Sequence, residues 1–274
     1  MVNLKQTARR FLRVVVDVRI EMNYRLTFSK FRLDPPGESQ LIVSMTSYPK
    51  RIRHAWLALE SLFRQDDRRF RLVLVLAESQ FPGRQLPRMI RKQMEKGLEI
   101  LWVERDGRSF DHLWPAYSAF PGNNVVSVDD DKFFATDMVS KLRSAARMNP
   151  RAIVGWRGWD MRPTNGTFEF GENWVRANRD TPSSRLFMPP GNGSLYPAGS
   201  LPRETGNYDL RERICPNADD VWYWAMAKMS SSESICLGQP NHRPIWKQSR
   251  TPALADLGPG PKEFKQVTEH FGLI

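Results

Sequence analysis

The chain has 274 residues, 41% of them hydrophobic, with 41 Lys and Arg against 30 Asp and Glu for a net charge of +11. That length and apolar share support a buried core without covalent staples, which excludes a disordered chain and a small disulfide-bound module. The positive balance predicts an anionic partner and leaves nucleic acid, anionic lipid and sugar nucleotides open.

Residues 1–33 carry eight cations and two carboxylates, so more than half of the net charge lies here. Leu4, Ala8, Phe11, Val15, Val18 and Met22 recur at three- and four-residue steps, which predicts an amphipathic helix with arginines beside an apolar stripe. Such a helix can lie on an anionic membrane surface or pack against protein; the periodicity is the same for both. Asp34-Pro35-Pro36-Gly37 breaks the helix and marks the junction to the main body.

Strand-like and helix-like segments then alternate, which predicts an α/β domain with a mostly parallel sheet flanked by helices. Leu41–Met45 is a compact apolar run, and Trp56, Leu59 and Phe63 share one helical face. Arg71–Ala77, Glu99–Val103 and Asn124–Val128 read as strands, whereas 85–96, 112–119 and 137–147 read as helices. After Ala152–Gly155 a stretch rich in Gly, Pro, Trp and Asn runs to about Gly206 and predicts functional loops. A helix over Asp220–Met229 closes the series.

Cys215 and Cys236 lack zinc or CxxC spacing and point to a reducing cytosol. Apolar runs such as Leu72–Ala77 are strand-sized and no signal-peptide pattern is present, so a cytoplasmic chain that does not cross a membrane is expected. The sequons Asn165-Gly166-Thr167 and Asn192-Gly193-Ser194 would matter only in a secretory compartment, which no other feature supports.

The sharpest motif is Val125-Val126-Ser127-Val128-Asp129-Asp130-Asp131, an apolar strand ending in three carboxylates. Ligands of open α/β sheets bind beyond the carboxyl ends of strands. Adjacent anions repel unless a cation is present, and Mg²⁺ or Mn²⁺ takes one or two carboxylates plus substrate phosphates. In an extended segment Asp129 and Asp131 point the same way and Asp130 elsewhere. Asp219 and Asp220 stand at a helix start, where capping explains one acid better than two; the other could take a proton from an attacking hydroxyl. Gly191-Asn192-Gly193 allows close backbone approach to a ligand or simply tight turns. Trp156, Trp159, Trp174, Trp222 and Trp224 are mostly core candidates. His242 is a candidate imidazole metal ligand. Walker, GxGxxG, GxSxG and HExxH motifs are missing from the sequence.

Four segments in this order, Ser44-Met45-Thr46-Ser47-Tyr48-Pro49-Lys50-Arg51-Ile52, Asp129-Asp130-Asp131, Gly193-Ser194-Leu195-Tyr196-Pro197 and Ala218-Asp219-Asp220-Val221-Trp222, resemble bacterial family-2-like glycosyltransferases with the A-type fold, of the surface polysaccharide type. The resemblance runs from about Leu41 to Trp246. It implies a Rossmann-like A-type domain at 37–250, its donor half reaching about 135 and its acceptor half following, between a basic segment at 1–36 and a tail at 251–274.

The resemblance further implies a nucleotide-sugar donor, carried by UDP in the family pattern, and a glycan or lipid-linked acceptor, with no nucleic acid partner. The implied donor residues are Thr46, Tyr48, Arg51, Glu78, His112, Asp129 and Asp130. Mn²⁺ or Mg²⁺ would sit on Asp129 and Asp131 with His242, and Gly193, Tyr196 and Trp222 would face the acceptor. Asp220 is the implied base of an inverting displacement, with Asp219 as the alternative. The sequence departs from the family at His112, where relatives usually carry a lysine. A sugar nucleotidyltransferase and a non-catalytic nucleic-acid or anion-binding protein are the competing readings.

Overall fold

A computed structural model of the chain describes residues 4–33, 41–163, 168–171, 173–238, 242–245 and 260–273. The Asp34–Gly37 junction, the first sequon and Gln239–Asn241 lie outside the described residues. The elements begin with α1 (Leu4–Leu26), β1 (Leu41–Thr46), α2 (Ile52–Phe63), β2 (Phe70–Ala77), α3 (Arg88–Met94), β3 (Leu98–Val103), α4 (Trp114–Ala119) and β4 (Asn124–Val128). They continue with β5 (Lys132–Phe134), α5 (Met138–Met148), β6 (Ile153–Gly155), β7 (Trp159–Asp160), β8 (Val175–Arg176), β9 (Arg179–Ser183), β10 (Leu186–Phe187) and β11 (Asn192–Tyr196). The last are α6 (Tyr208–Ile214), α7 (Asp219–Met229), β12 (Ser234–Cys236), β13 (His242–Pro244) and α8 (Gly260–Phe271).

Eight strands form the central sheet in the order β3-β2-β1-β4-β11-β6-β12-β9. β1, β2, β3 and β4 are mutually parallel, as are β6 and β12, while β11 and β9 run against their neighbours. The sheet is therefore mostly parallel, and its strands read as continuous apolar runs because both faces are covered. Alternate residues serve the two sides. Val43, Met45, Leu72, Leu74, Val126 and Val128 join α2, α3 and α5 in one core, whereas Ile42, Val73, Val75 and Val125 join α4, α7 and α8 in the other. The order 3-2-1-4 makes the gap between β1 and β4 a topological switch point, where a crevice opens beyond the carboxyl ends.

Several expectations are revised. The segment at 112–119 divides into a 3₁₀ turn at Arg108–His112 and α4, because Pro115 fits only the first turn of a new helix. The Trp-rich stretch builds the small sheet β10-β7-β8 and the strands β9 and β11. Trp156, Trp222 and Trp224 are core residues, and Trp174 packs on Phe187 with ring centroids 4.8 Å apart. The expected tail instead holds α8, whose Phe264 and Val267 are buried against α7.

Helix α1 docks through the face opposite its apolar stripe. Ile20 and Tyr24, with Phe28 and Phe31 beyond the helix, pack on the α2 side of the core. The Arg64 guanidinium lies 4.2 Å from the Tyr24 ring and 4.4 Å from the Phe31 ring. Glu60, fully buried on α2, accepts from Arg64 at 3.1 Å and Lys96 at 3.2 Å, and Lys96 also donates to the Phe28 carbonyl at 2.7 Å. Burial raises the Glu60 pKa and lowers that of Lys96. Removing one partner of such a buried pair strands the other charge, so Glu60→Ala is expected to lower unfolding stability by about 3–5 kcal/mol, read as a lowered urea midpoint.

Candidate active site

The carboxyl ends of β1 and β4 bring the first loop and the acidic run together. Ser47 donates to Asp130 Oδ2 at 2.5 Å, and Arg51 Nη1 lies 3.1 Å from Asp130 Oδ1 and 3.2 Å from Asp131 Oδ2. Asp130 is thus turned into the protein, as the strand alternation predicts, and Asp131 stays partly exposed. Burial pushes the Asp130 carboxyl up to about 6 despite Arg51 and Ser47. Asp131 is also raised, by burial and by the charge of Asp129.

Asp129 has different partners. Lys132 Nζ donates to it at 2.5 Å and to Asn192 Oδ1 at 2.6 Å, and the Asp129 backbone N–H donates to the Gly191 carbonyl at 2.9 Å. Burial alone would raise the pKa of this group, but Lys132 and then His112 hold it well below the usual carboxylate range. A Cβ at Gly191 would come within 1.9 Å of Asp129 Oδ1, so only glycine leaves room for the carboxylate. Gly193, with φ +83°, forms the bulge where β11 shifts register against β4.

Helix α7 delivers the second acidic pair. Ala218 occupies the cap position and neither Asp219 nor Asp220 caps the helix. The loop is held from α8 instead: buried Glu263 accepts from the backbone N–H groups of Asn217 at 3.0 Å and Ala218 at 2.8 Å, and from Asn217 Nδ2 at 3.1 Å. His112, buried in the 3₁₀ turn, bridges the two acidic groups, with Nδ1 3.7 Å from Asp129 and Nε2 3.4 Å from Asp219. Burial disfavours its charged form, yet Asp129 and Asp219 outweigh that and raise its pKa. Asp220 is pushed up to about 8 by burial first and then by the charges of Asp219 and Asp129.

The other expected residues separate into two groups. Thr46 closes β1 and donates to the Val75 carbonyl, and Tyr48 lies beside Arg51 at 5.8 Å, so both border the crevice. Glu78 follows β2 and pairs with Arg84 at the surface. Tyr196 and Trp222 are 1% and 0% exposed, which corrects the acceptor role expected of them. Tyr196 packs beside Tyr223, and Trp222 donates from Nε1 to the Thr205 carbonyl at 3.1 Å. Gly193 is likewise buried, in its bulge.

A divalent cation shared with a ligand's phosphates fits Asp129 and Asp131, two carboxylates close enough for one to raise the other. Asp130 does not fit, being committed to Ser47 and Arg51. His242 pairs with Phe134 in the β13–β5 ladder; burial and then Lys132 lower its pKa to about 4, so its imidazole is neutral at pH 7. Among the described residues no three His, Cys, Asp or Glu side chains converge as a cage. Lys132, Glu263 and Arg157 went unread in the sequence, and Asn192 was read only as part of a glycine loop and a sequon. Arg157 stands just past β6, half-buried, with the Asp220 charge acting on it. Lys132 had a signal, as the residue following the triplet; Glu263 had none.

A recess of about 560 Å³ opens at the opposite end of the sheet, beside Arg151, Ala198, Ser200 and Glu233. The polar convergence at the switch point is the better candidate because its groups are aimed at one another across elements. Replacing Glu263 by alanine leaves two N–H groups before α7 unpaired, and a stability loss of about 1–3 kcal/mol is expected in denaturant titration.

No family model matches the chain, and no curated protein matches it. Solved structures are similar to it in fold. S. aureus TarS 1-349 in complex with UDP matches with TM-score 0.47 at 14% identity, over 74% of this chain and 59% of that one. Mannosyltransferase PcManGT from Pyrobaculum calidifontis, in complex with GDP-Man and Mn²⁺, matches with TM-score 0.44 at 14% identity, over 84% and 65%. A 4-diphosphocytidyl-2C-methyl-D-erythritol synthase matches with TM-score 0.44 at 11% identity, over 76% and 93%. The chain thus spans less than two thirds of the length of the TarS fragment and of the mannosyltransferase.

Proposed function

We propose that the chain is an inverting glycosyltransferase that moves a sugar from a nucleotide donor, in the first instance a UDP-sugar, to a hydroxyl of a glycan or lipid-linked acceptor in the cytoplasm. The observation that carries this reading is the meeting, at the switch point of the sheet, of Asp129–Asp131 with Asp219–Asp220 through His112. The first loop and the triplet supply a polar floor for a nucleotide and its diphosphate. Lys132, and His112 whose charged form Asp129 and Asp219 favour, offer positive charge where the departing diphosphate becomes more negative. A divalent cation on Asp129 and Asp131 would add Lewis-acid neutralisation of that leaving group.

Asp220 serves as the base. The acceptor oxygen forms its bond to the anomeric carbon as the bond to the diphosphate breaks, and the hydroxyl proton passes to the Asp220 carboxylate. A base poised near neutrality suits this task and contributes ~10²–10⁴ in rate. With its pKa pushed up to about 8, Asp220 must lose its proton first, so kcat/KM is expected to climb with pH toward that value. Asp220→Asn should lower transfer at least ~10²-fold while nucleotide binding, followed calorimetrically, stays unchanged. Full activity in this variant would overturn the assignment.

The same carboxyl predicts a stability effect of definite sign. Its folded pKa lies above the unfolded value, so its contribution is complete at acid pH and is lost as pH rises through about 8. Asp220→Asn is therefore expected to melt close to the parent near pH 3.5 and progressively above it as pH rises to about 8, the gap staying constant beyond that.

The donor side is tested by titrating nucleoside diphosphates and sugar nucleotides with and without Mn²⁺. Metal-dependent binding of one nucleotide class is expected, weakened by Asp131→Ala. Lys132→Ala should strengthen Mn²⁺ binding in the absence of nucleotide, because the ammonium no longer occupies Asp129. The released product discriminates the reaction: a nucleoside diphosphate supports glycosyl transfer, and pyrophosphate would replace it with nucleotidyl transfer.

A further inference from the structure

The exposed large apolar side chains of the described residues concentrate on α1: Val15 at 46%, Val18 at 45%, Met22 at 59% and Leu26 at 80%, with Val16 beside them. Steps of three and four residues place these on one face, and the same steps continue in the sequence through Phe11, Ala8 and Leu4. This is the stripe that a core-seeking helix would bury. It points outward because the other face is already committed: Asp17 is buried and paired with Arg243, and Ile20 and Tyr24 pack on the domain. The outward orientation is fixed at both ends of that contact by Arg64 on Tyr24 and Lys96 on the Phe28 carbonyl.

The charge around this row is one-sided. Arg19 and Arg25 are exposed on the same helix, Lys30 and Arg32 are exposed just beyond it, and the segment 1–33 has a net charge of +6 in the sequence. An apolar row a few residues wide beside a net excess of cations, of which Arg25 is paired with Glu21, is complementary to the headgroup boundary of an anionic bilayer, where methyl groups enter the acyl region and guanidinium groups stay among phosphates. A second copy of this chain would bring the same cations face to face and is disfavoured by their repulsion. No helix among the described residues is long and apolar enough to cross a membrane, so the contact is one of surface docking.

We infer that α1 is an anionic-lipid docking surface that holds the domain on a membrane face. The buried face of α1, opposite this row, packs on the strands beside the acidic crevice. Arg243, paired with Asp17, belongs to β13, Tyr24 meets Phe133 of β5 at 5.9 Å, and the Ile245 N–H donates to the Asp131 carbonyl at 2.7 Å. Docking through α1 therefore leaves the triplet loop behind the helix, a helix diameter of about 10 Å from the lipid surface. The inference stands on the exposed row and its charge and is independent of the reaction proposed above.

The test is co-sedimentation of the full chain with sucrose-loaded vesicles of phosphatidylcholine alone or mixed with phosphatidylglycerol. Binding is expected only to the anionic vesicles, falling severalfold between about 0.1 M and about 0.5 M salt. Val18→Asp with Met22→Asp is expected to weaken it at least about tenfold, and Arg19→Glu to weaken it severalfold, with the melting temperature of each variant unchanged. Because these side chains are exposed the variants should fold; should the aspartate pair not fold, Val18→Ser with Met22→Gln makes the same comparison. Absence of binding to anionic vesicles, or binding untouched by folded variants, overturns the inference. A concentration-dependent dimer abolished by the same substitutions, without vesicle binding, would overturn it in favour of a self-association face.

Discussion

The structure depends on balancing carboxylates that are crowded into the crevice between β1 and β4. Asp129, Asp130, Asp131, Asp219 and Asp220 are drawn from two distant segments, and unpaired anions in a partly desolvated crevice would repel one another. Each carboxylate group is managed differently. Arg51 binds Asp130 and Asp131, Lys132 binds Asp129, and His112 stands between Asp129 and Asp219. Asp220 has no ion pair among the described residues, and burial, then the charges of Asp219 and Asp129, raises its pKa. The compensation thus holds Asp129 ionised while Asp220 and Asp130 are left able to exchange protons nearer neutrality.

This arrangement changes the meaning of the histidine at 112. The glycosyltransferase pattern resembled by the sequence suggested a fixed cation at this position, so a weaker positive field was expected. The cationic role is shared instead: Lys132 reaches Asp129 directly, and the carboxylates on both sides favour the charged imidazole. The two sets of acids consequently feel each other through one ring, and substitutions in either set should not act additively.

Much of the first half was legible because it uses strong local signals. Buried parallel strands such as Leu72–Ala77 are continuous apolar runs, and charge placed abruptly after Val128 marks a strand end. The sequence also put Asp130 opposite Asp129 and Asp131, since period-two alternation suffices for that. Other features depend on long-range partners and left no local trace. Glu263 meets Asn217 across 46 positions, and β11 gains its place only by pairing with β4 and β6. Tyr196 and Trp222 misled for a related reason: their neighbours line the crevice, but helix and strand periodicity turns these two rings inward. The α1 stripe was correctly located, while its direction was settled by Ile20, Tyr24 and the buried Asp17 on the other side.

The clasp between Glu263 and the loop ahead of α7 also orders the assembly of the site in time. Ribosomal synthesis makes the acidic triplet early and Asp219–Asp220 later, but the carboxylate that satisfies the Asn217 and Ala218 N–H groups comes later still. A nascent chain can therefore close the β3-β2-β1-β4 region and still lack the brace that sets the start of α7. The crevice is finished by a helix whose bracing carboxylate lies 46 positions beyond the loop it holds, so a growing chain acquires its complete acidic geometry only after α8 has emerged.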